Sequence, residues 1–112
     1  MAESSTATRK RNDTGPDFVG ICRDADQNTV DLSGSTIKFI LYRGGSLYLS
    51  GSATPDPDQV TNEGQVSYAI QAGDLSEAGE FLQEWEVTFS GGTVETFPTR
   101  GYNTVIVEAD LG

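Results

Sequence analysis

The 112-residue sequence contains no histidine and a single cysteine. Each shortage removes a class of chemistry. Without histidine there is no Ser-His-Asp or Cys-His relay, and no imidazole to move protons near neutral pH. The commonest zinc ligand is missing as well. With Cys22 alone, no disulfide closes within the chain, and the composition differs from that of disulfide-stapled secreted folds. Cys22 ends the apolar run FVGIC, where its expected role is a small buried hydrophobe, because no activating base accompanies it. No run of eighteen apolar residues is present, so no membrane-spanning helix is expected. The opening residues MAESSTATRKRNDTG have no apolar h-region, so no signal peptide is expected and synthesis in a cytoplasm is. Neither G-x-G-x-x-G nor G-x-x-x-x-G-K occurs, which leaves nucleotide binding without a motif.

Positive charge is also scarce. Seven Lys and Arg face seventeen Asp and Glu, a net charge of −10. Three of the seven are adjacent, at Arg9, Lys10 and Arg11, and from Asn12 onward the net is −12. Binding nucleic acid requires neutralising phosphates, so such a body repels a duplex. It is equally unsuited to an anionic membrane surface. Neither is expected as a partner.

What the chain does contain is alternation. The length suits one domain, with a modest core and little room for a deep cleft. Residues 1–15 are polar and are expected to form a flexible N-terminal arm. Residues 16–112 are expected to form one β domain. FVGIC at 18–22 reads as a short strand. STIKFILY at 35–42 alternates Ile37, Phe39 and Leu41 with Lys38, Ile40 and Tyr42. SLYLSGSA at 46–53 places Leu47 and Leu49 on one face, and QVSYAI at 65–70 does the same for Val66, Tyr68 and Ile70. FLQEWEVTF at 81–89 sets Phe81, Gln83, Trp85, Val87 and Phe89 against Leu82, Glu84, Glu86 and Thr88. TVETF at 93–97 and NTVIVEA at 103–109 complete about seven strands. PDPDQVTNEG is a loop, and QAGDLSEAG suggests one helical turn capped by Asp74. The expected fold is all-β: an immunoglobulin-like antiparallel β-sandwich, without the Cys-Trp-Cys spacing of antibody domains. Phe39, Tyr68, Trp85, Val87 and Phe89 are the expected core.

Several acidic groups invite a chemical reading. DADQN at 24–28 spaces Asp24, Asp26 and Asn28 as a calcium loop begins. Counted from Asp24, however, the sixth position is Thr29 rather than Gly and the twelfth is Ser35 rather than Glu. Asp and Asn favour turns by bonding their own backbone, so a hairpin tip is expected here. Glu84 and Glu86 share a strand face as a glycosidase pair would, but a solvated strand face is the expected reading of the pair. Asp56 and Asp58 flank Pro57 in a loop. No catalytic residue, metal ligand or cofactor is assigned, and the chain is not expected to be an enzyme. Arg9, Lys10 and Arg11, with Val19 and Ile21, are the candidate interface residues.

One composite pattern extends further. CRDADQNTVDLSGSTIKFILYR is followed by GQVSYAIQAGDLSEAGEFLQEWEVTFSGGTVETFP. The LSG step at Leu32, Ser33 and Gly34 and the step at Gly79, Glu80 and Phe81 carry it. The pattern resembles small β-sandwich structural proteins of tailed bacteriophages, and is most similar to the N-terminal domain of the phage baseplate upper protein family. The resemblance implies a virion component at a baseplate, a neck or tail junction, or the capsid surface. It also implies other virion proteins as partners, and a homo-oligomer in a symmetric assembly. A second expectation is an immunoglobulin-like adhesion or carbohydrate-binding module, for which Tyr42, Tyr48, Tyr68 and Tyr102 would supply an aromatic platform.

Overall fold

The structure, a computed structural model, describes residues 5–109. These contain eight strands: β1 (Thr6–Lys10), β2 (Phe18–Ile21), β3 (Thr36–Arg43), β4 (Ser46–Pro55), β5 (Gln65–Tyr68), β6 (Gly79–Thr88), β7 (Val94–Phe97) and β8 (Asn103–Glu108). The hydrogen-bonded order is β1-β8-β6-β3-β4-β5-β2, and β7 pairs with the second half of β6. β4 belongs to two layers. Its first part pairs with β3, and Thr54 and Pro55 pair with β5. The sheet therefore folds over at β4 and closes almost into a barrel. All pairings are antiparallel except β1 with β8. This is the immunoglobulin-like sandwich that the alternation predicts.

Alternation decides which side chains go inside. β6 is buried at every second residue, so Phe81, Gln83, Trp85 and Val87 face the other layer. Phe39 on β3 is the hub. Its ring stacks on Phe18 at 5.0 Å and on Tyr68 at 4.4 Å, and meets Trp85 edge-on at 5.2 Å. Such pairs add to the burial energy of each ring. Phe89 is only partly buried, at the margin of this cluster. Two glycines let the layers approach. A Cβ on Gly20 would lie 2.6 Å from the Trp85 indole nitrogen, and one on Gly51 would lie 2.6 Å from the Tyr68 ring.

Three expectations are corrected. Of the flexible arm expected at 1–15, residues 6–10 form a strand, and residues 1–4 lie outside the described residues. TATRK offers the core only Ala7, but its backbone pairs with β8 from Thr6↔Thr104 to Lys10↔Glu108. Leu47 and Leu49 do not share a face. The register passes from Leu41↔Leu49 to Tyr42↔Leu47, which leaves Tyr48 bulged; Leu47 becomes exposed while Leu49 packs on the core. Where one helical turn is expected over 71–79, residues 72–75 form a turn, no helix is present, and Gly79 already belongs to β6. Instead of capping a helix, Asp74 accepts hydrogen bonds from Tyr68 Oη at 2.5 Å and from Gln71 N–H at 2.8 Å.

Candidate binding surface

The sheet has three edge strands among the described residues, and they differ in how they are guarded. β1 carries Arg9 and Lys10, and β7 carries Glu95. Charged side chains on an edge discourage further strands from adding. β2, with the sequence FVGI, carries no charge.

The register of β2 fixes what its open edge presents. Phe18 pairs with Tyr68, Gly20 with Val66, and Cys22 donates its N–H to Gly64 O at 2.7 Å. In an antiparallel ladder the bonded pairs alternate, so Phe18 and Gly20 direct their backbone groups toward β5, as Cys22 does its N–H, while the Cys22 carbonyl accepts from Val30 N–H at 3.1 Å. Val19 and Ile21 direct theirs toward the open side. The opposite edge of β5 agrees, since Gln65 O accepts from Asp56 N–H at 2.8 Å on the β4 side. Side chains follow the same parity. Phe18 and Cys22 enter the core, while Val19 is 61% and Ile21 51% exposed. Cys22 has no exposure, and burial pushes its thiol up to about 12. That excludes it as a thiolate nucleophile at neutral pH.

Two grooves of about 340 Å³ each flank Ile21 and Gln65. One runs past Val19, Ser5 and Arg23; the other runs past Val60 and Glu63. Val60 is 95% exposed, so Val19, Ile21 and Val60 form one apolar stripe across the grooves. Two loops border this stripe, and sequence chemistry explains both. In the first, Asp24 Oδ1 accepts from Asp26 N–H at 2.9 Å and Asn28 N–H at 3.0 Å, and an isolated bridge joins Arg23 to Thr29. DADQN is thus the tip of a small hairpin, as its composition predicts. Among the described residues, no group of three or more His, Cys, Asp or Glu side chains is arranged to hold a metal ion.

The second loop is held by a residue that sequence reasoning passed over. Gln59 is buried inside PDPDQVTNEG. Its Oε1 accepts from Leu32 N–H and Gly64 N–H, both at 2.9 Å. Its Nε2 donates to Asp56 O at 2.9 Å and Gln65 O at 3.2 Å. One amide side chain satisfies four backbone groups from three segments. Asp58 Oδ1 then accepts from Thr61 N–H at 3.0 Å and Val60 N–H at 3.2 Å, which presents Val60 outward. The bond from Thr61 chiefly, with others, holds the Asp58 carboxyl below the usual range. A bond from Thr29 Oγ1 to Glu63 Oε1 at 2.5 Å ties the two loops together.

The other candidate interface residues lie apart from this stripe. Arg9 sits 4.7 Å over the Phe18 ring and donates to the carbonyls of Pro16 and Asp17, both at 3.2 Å. It clasps β1 to the start of β2. Lys10 pairs with Glu108 at 3.6 Å, and Arg11 N–H donates to Glu108 O at 2.7 Å. The acidic neighbour of Lys10 is Glu108 on the chain's own β8. The tyrosines also disperse: Tyr68 is in the core, Tyr48 leans on Phe81 at 4.6 Å, and Tyr102 is exposed. Glu84 and Glu86 take the outward face of β6, and partial burial raises the Glu84 carboxyl.

No family model matches the chain, and no curated protein matches it. Among solved structures it is similar to CopC from Methylosinus trichosporium OB3b, at 17% identity and a TM-score of 0.43, over 74% of this chain and 70% of that one. The low identity and score carry nothing about binding over to this chain. The resemblance to the phage baseplate upper protein family is overturned: no model of such a family matches the chain, and no curated protein of that family does. The virion location, the virion partners and the homo-oligomer in a symmetric assembly fall with it. The quoted motifs have a local explanation. Leu32 and Leu75 are fully buried plugs. Gly34 takes the positive φ of 72° that its turn requires, with Ser35 N–H donating to Leu32 O at 3.1 Å. Gly79 and Phe81 open β6. A sandwich of this shape needs such residues whatever its setting.

Proposed function

We propose that this small all-β domain is an immunoglobulin-like adhesion module that works through protein contacts and has no enzymatic activity. The observation that carries this reading is the uncharged open edge of β2, with Val19 and Ile21 exposed beside it. Contiguous exposed apolar surface rimmed by polar loops marks interaction sites. A rigid base beneath the loops supports the reading, because Gln59 pins one and the Asp24 turn holds the other. Protein is favoured over carbohydrate because the tyrosines do not gather into one platform for sugar rings.

The test couples the domain to beads and measures retention on panels of protein-coated and glycan-coated surfaces. Wild type is expected to hold to at least one protein surface. The double variant Val19→Lys, Ile21→Lys is expected to lose that hold while keeping its circular dichroism spectrum. Equal retention of the two proteins, retention on glycans alone, or retention on neither panel would overturn the reading.

A further inference from the structure

The adhesion reading leaves open what kind of protein segment the edge accepts. We infer that β2 takes an extended segment as an added strand, with apolar residues at alternate positions and lysine or arginine at the end beside Ile21. This rests on the adhesion reading and narrows it.

Three observations carry the inference. Val19 and Ile21 both direct backbone hydrogen-bonding groups to the open side, which is what strand addition uses. No strand lies beside that edge among the described residues. Their side chains also line the groove that leads past Ser5 and Arg23, and alternate apolar residues of an added strand would extend that apolar face. Charge selects the rest. Beside Ile21, Glu63 lines one groove and Arg23 the other; the two loops that supply them also carry Asp24, Asp26, Asp56 and Asp58 and no further cation, and the whole chain is at −10. Opposite charge speeds encounter and fixes register, while an acidic segment is repelled. The same charge disfavours a second copy of this chain. β1 shows the contrast: it is an edge too, but Arg9 and Lys10 are committed to Phe18 and Glu108.

The molecule contains its own reporter. Trp85 lies directly beneath Gly20 and contributes to the small cavity between Gly20 and Pro98. A strand added on β2 changes the surroundings of that indole.

The experiment uses the intact chain and an acetylated peptide of two lysines followed by alternating valine and threonine. Binding is followed by Trp85 fluorescence and by amide shifts of Val19 and Ile21. The lysine peptide is expected to shift both amides. It should bind at least about tenfold more tightly than the same peptide with glutamates in place of lysines. N-methylation of the peptide backbone is expected to weaken it by about tenfold as well. Equal binding of the glutamate peptide, insensitivity to N-methylation, or no shift at Val19 and Ile21 would overturn the inference. If wild type still holds to protein-coated surfaces in the adhesion assay, only the strand-addition inference fails. Loss of both signals removes the adhesion reading too.

Discussion

Phe39 and Tyr68 stack with ring planes 1° apart and centroids 4.4 Å apart, one ring from each layer of the sandwich. The pair joins the layers at their centre, since Phe39 also meets Phe18 and Trp85. Phe39→Ala is expected to lower stability by about 3–5 kcal/mol through lost burial and a residual cavity. That is a large share of the roughly 5–15 kcal/mol available to a domain. Urea unfolding measures it, with Val94→Ala on exposed β7 as a control expected within about 0.5 kcal/mol of wild type.

Gln59 is expected to be costlier than a loop glutamine usually is. Gln59→Leu keeps similar volume but leaves Leu32 N–H and Gly64 N–H unpaired in a buried place. The expected loss is about 1–3 kcal/mol for each group left without a partner. Hydrogen exchange should quicken at Leu32 and Gly64 specifically, while amides in β6 and β8 retain their protection. Uniform quickening across the sheet would show that Gln59 acts on global stability alone.

Cys22 should be silent in the native protein. Burial pushes the thiol up to about 12, so almost no thiolate exists at pH 8. A thiol-reactive disulfide reagent is expected to react only as fast as the domain opens, and at once in denaturant. Rapid labelling under native conditions would contradict the placement of β2 against the core.

The acid response follows from opposed shifts. Asp31 is held low by bonds from the Ser33 hydroxyl at 2.6 Å and the Ser33 N–H at 2.9 Å; Asp58 is held low chiefly by Thr61. Their folded values lie below their unfolded ones. The stability they give is present above the ordinary aspartate range and is lost as pH falls through the folded values. Glu84 runs the other way: burial raises its folded value, so the cost of its ionised form is relieved as pH falls through that value. Glu84→Gln should therefore raise stability at neutral pH and steepen the acid loss, whereas Asp58→Asn should flatten it. Thermal melts between pH 7 and about pH 3 separate the two.

Most strands were legible because burial imposes a period of two. β6 is the clearest case, since Trp85 and Val87 alternate with Glu84 and Glu86 over the full strand. β1 was hidden because TATRK has no apolar face to read; its pairing is a backbone property, and a backbone leaves little trace in composition. The bulge at Tyr48 was hidden for a related reason, since one extra residue shifts parity without altering residue type. For the binding surface, sequence singled out Val19 and Ile21, but it grouped them with Arg9, Lys10 and Arg11. Only the three-dimensional arrangement shows that Arg9 serves Phe18 and Lys10 serves Glu108, while Arg11 meets β8 through its backbone. Gln59 left no signal at all, because an amide in a polar loop looks like every other polar residue until its four partners are seen. The phage resemblance failed where common turn residues were taken together as a signature of setting.

The parallel pairing of β1 with β8 has a mechanical side. Thr6 lies beside Thr104 and Lys10 beside Glu108, so the chain enters at one end of the pair and leaves at the other. A stretching force applied between residues 5 and 109 would pull the two strands past each other lengthwise. Their interstrand bonds would then be loaded together in shear rather than opened one at a time like a zipper. Resistance to such a pull is governed by the unfolding barrier rather than by equilibrium stability. The short polar strand that contributes least to the core is thus the one placed to bear tension.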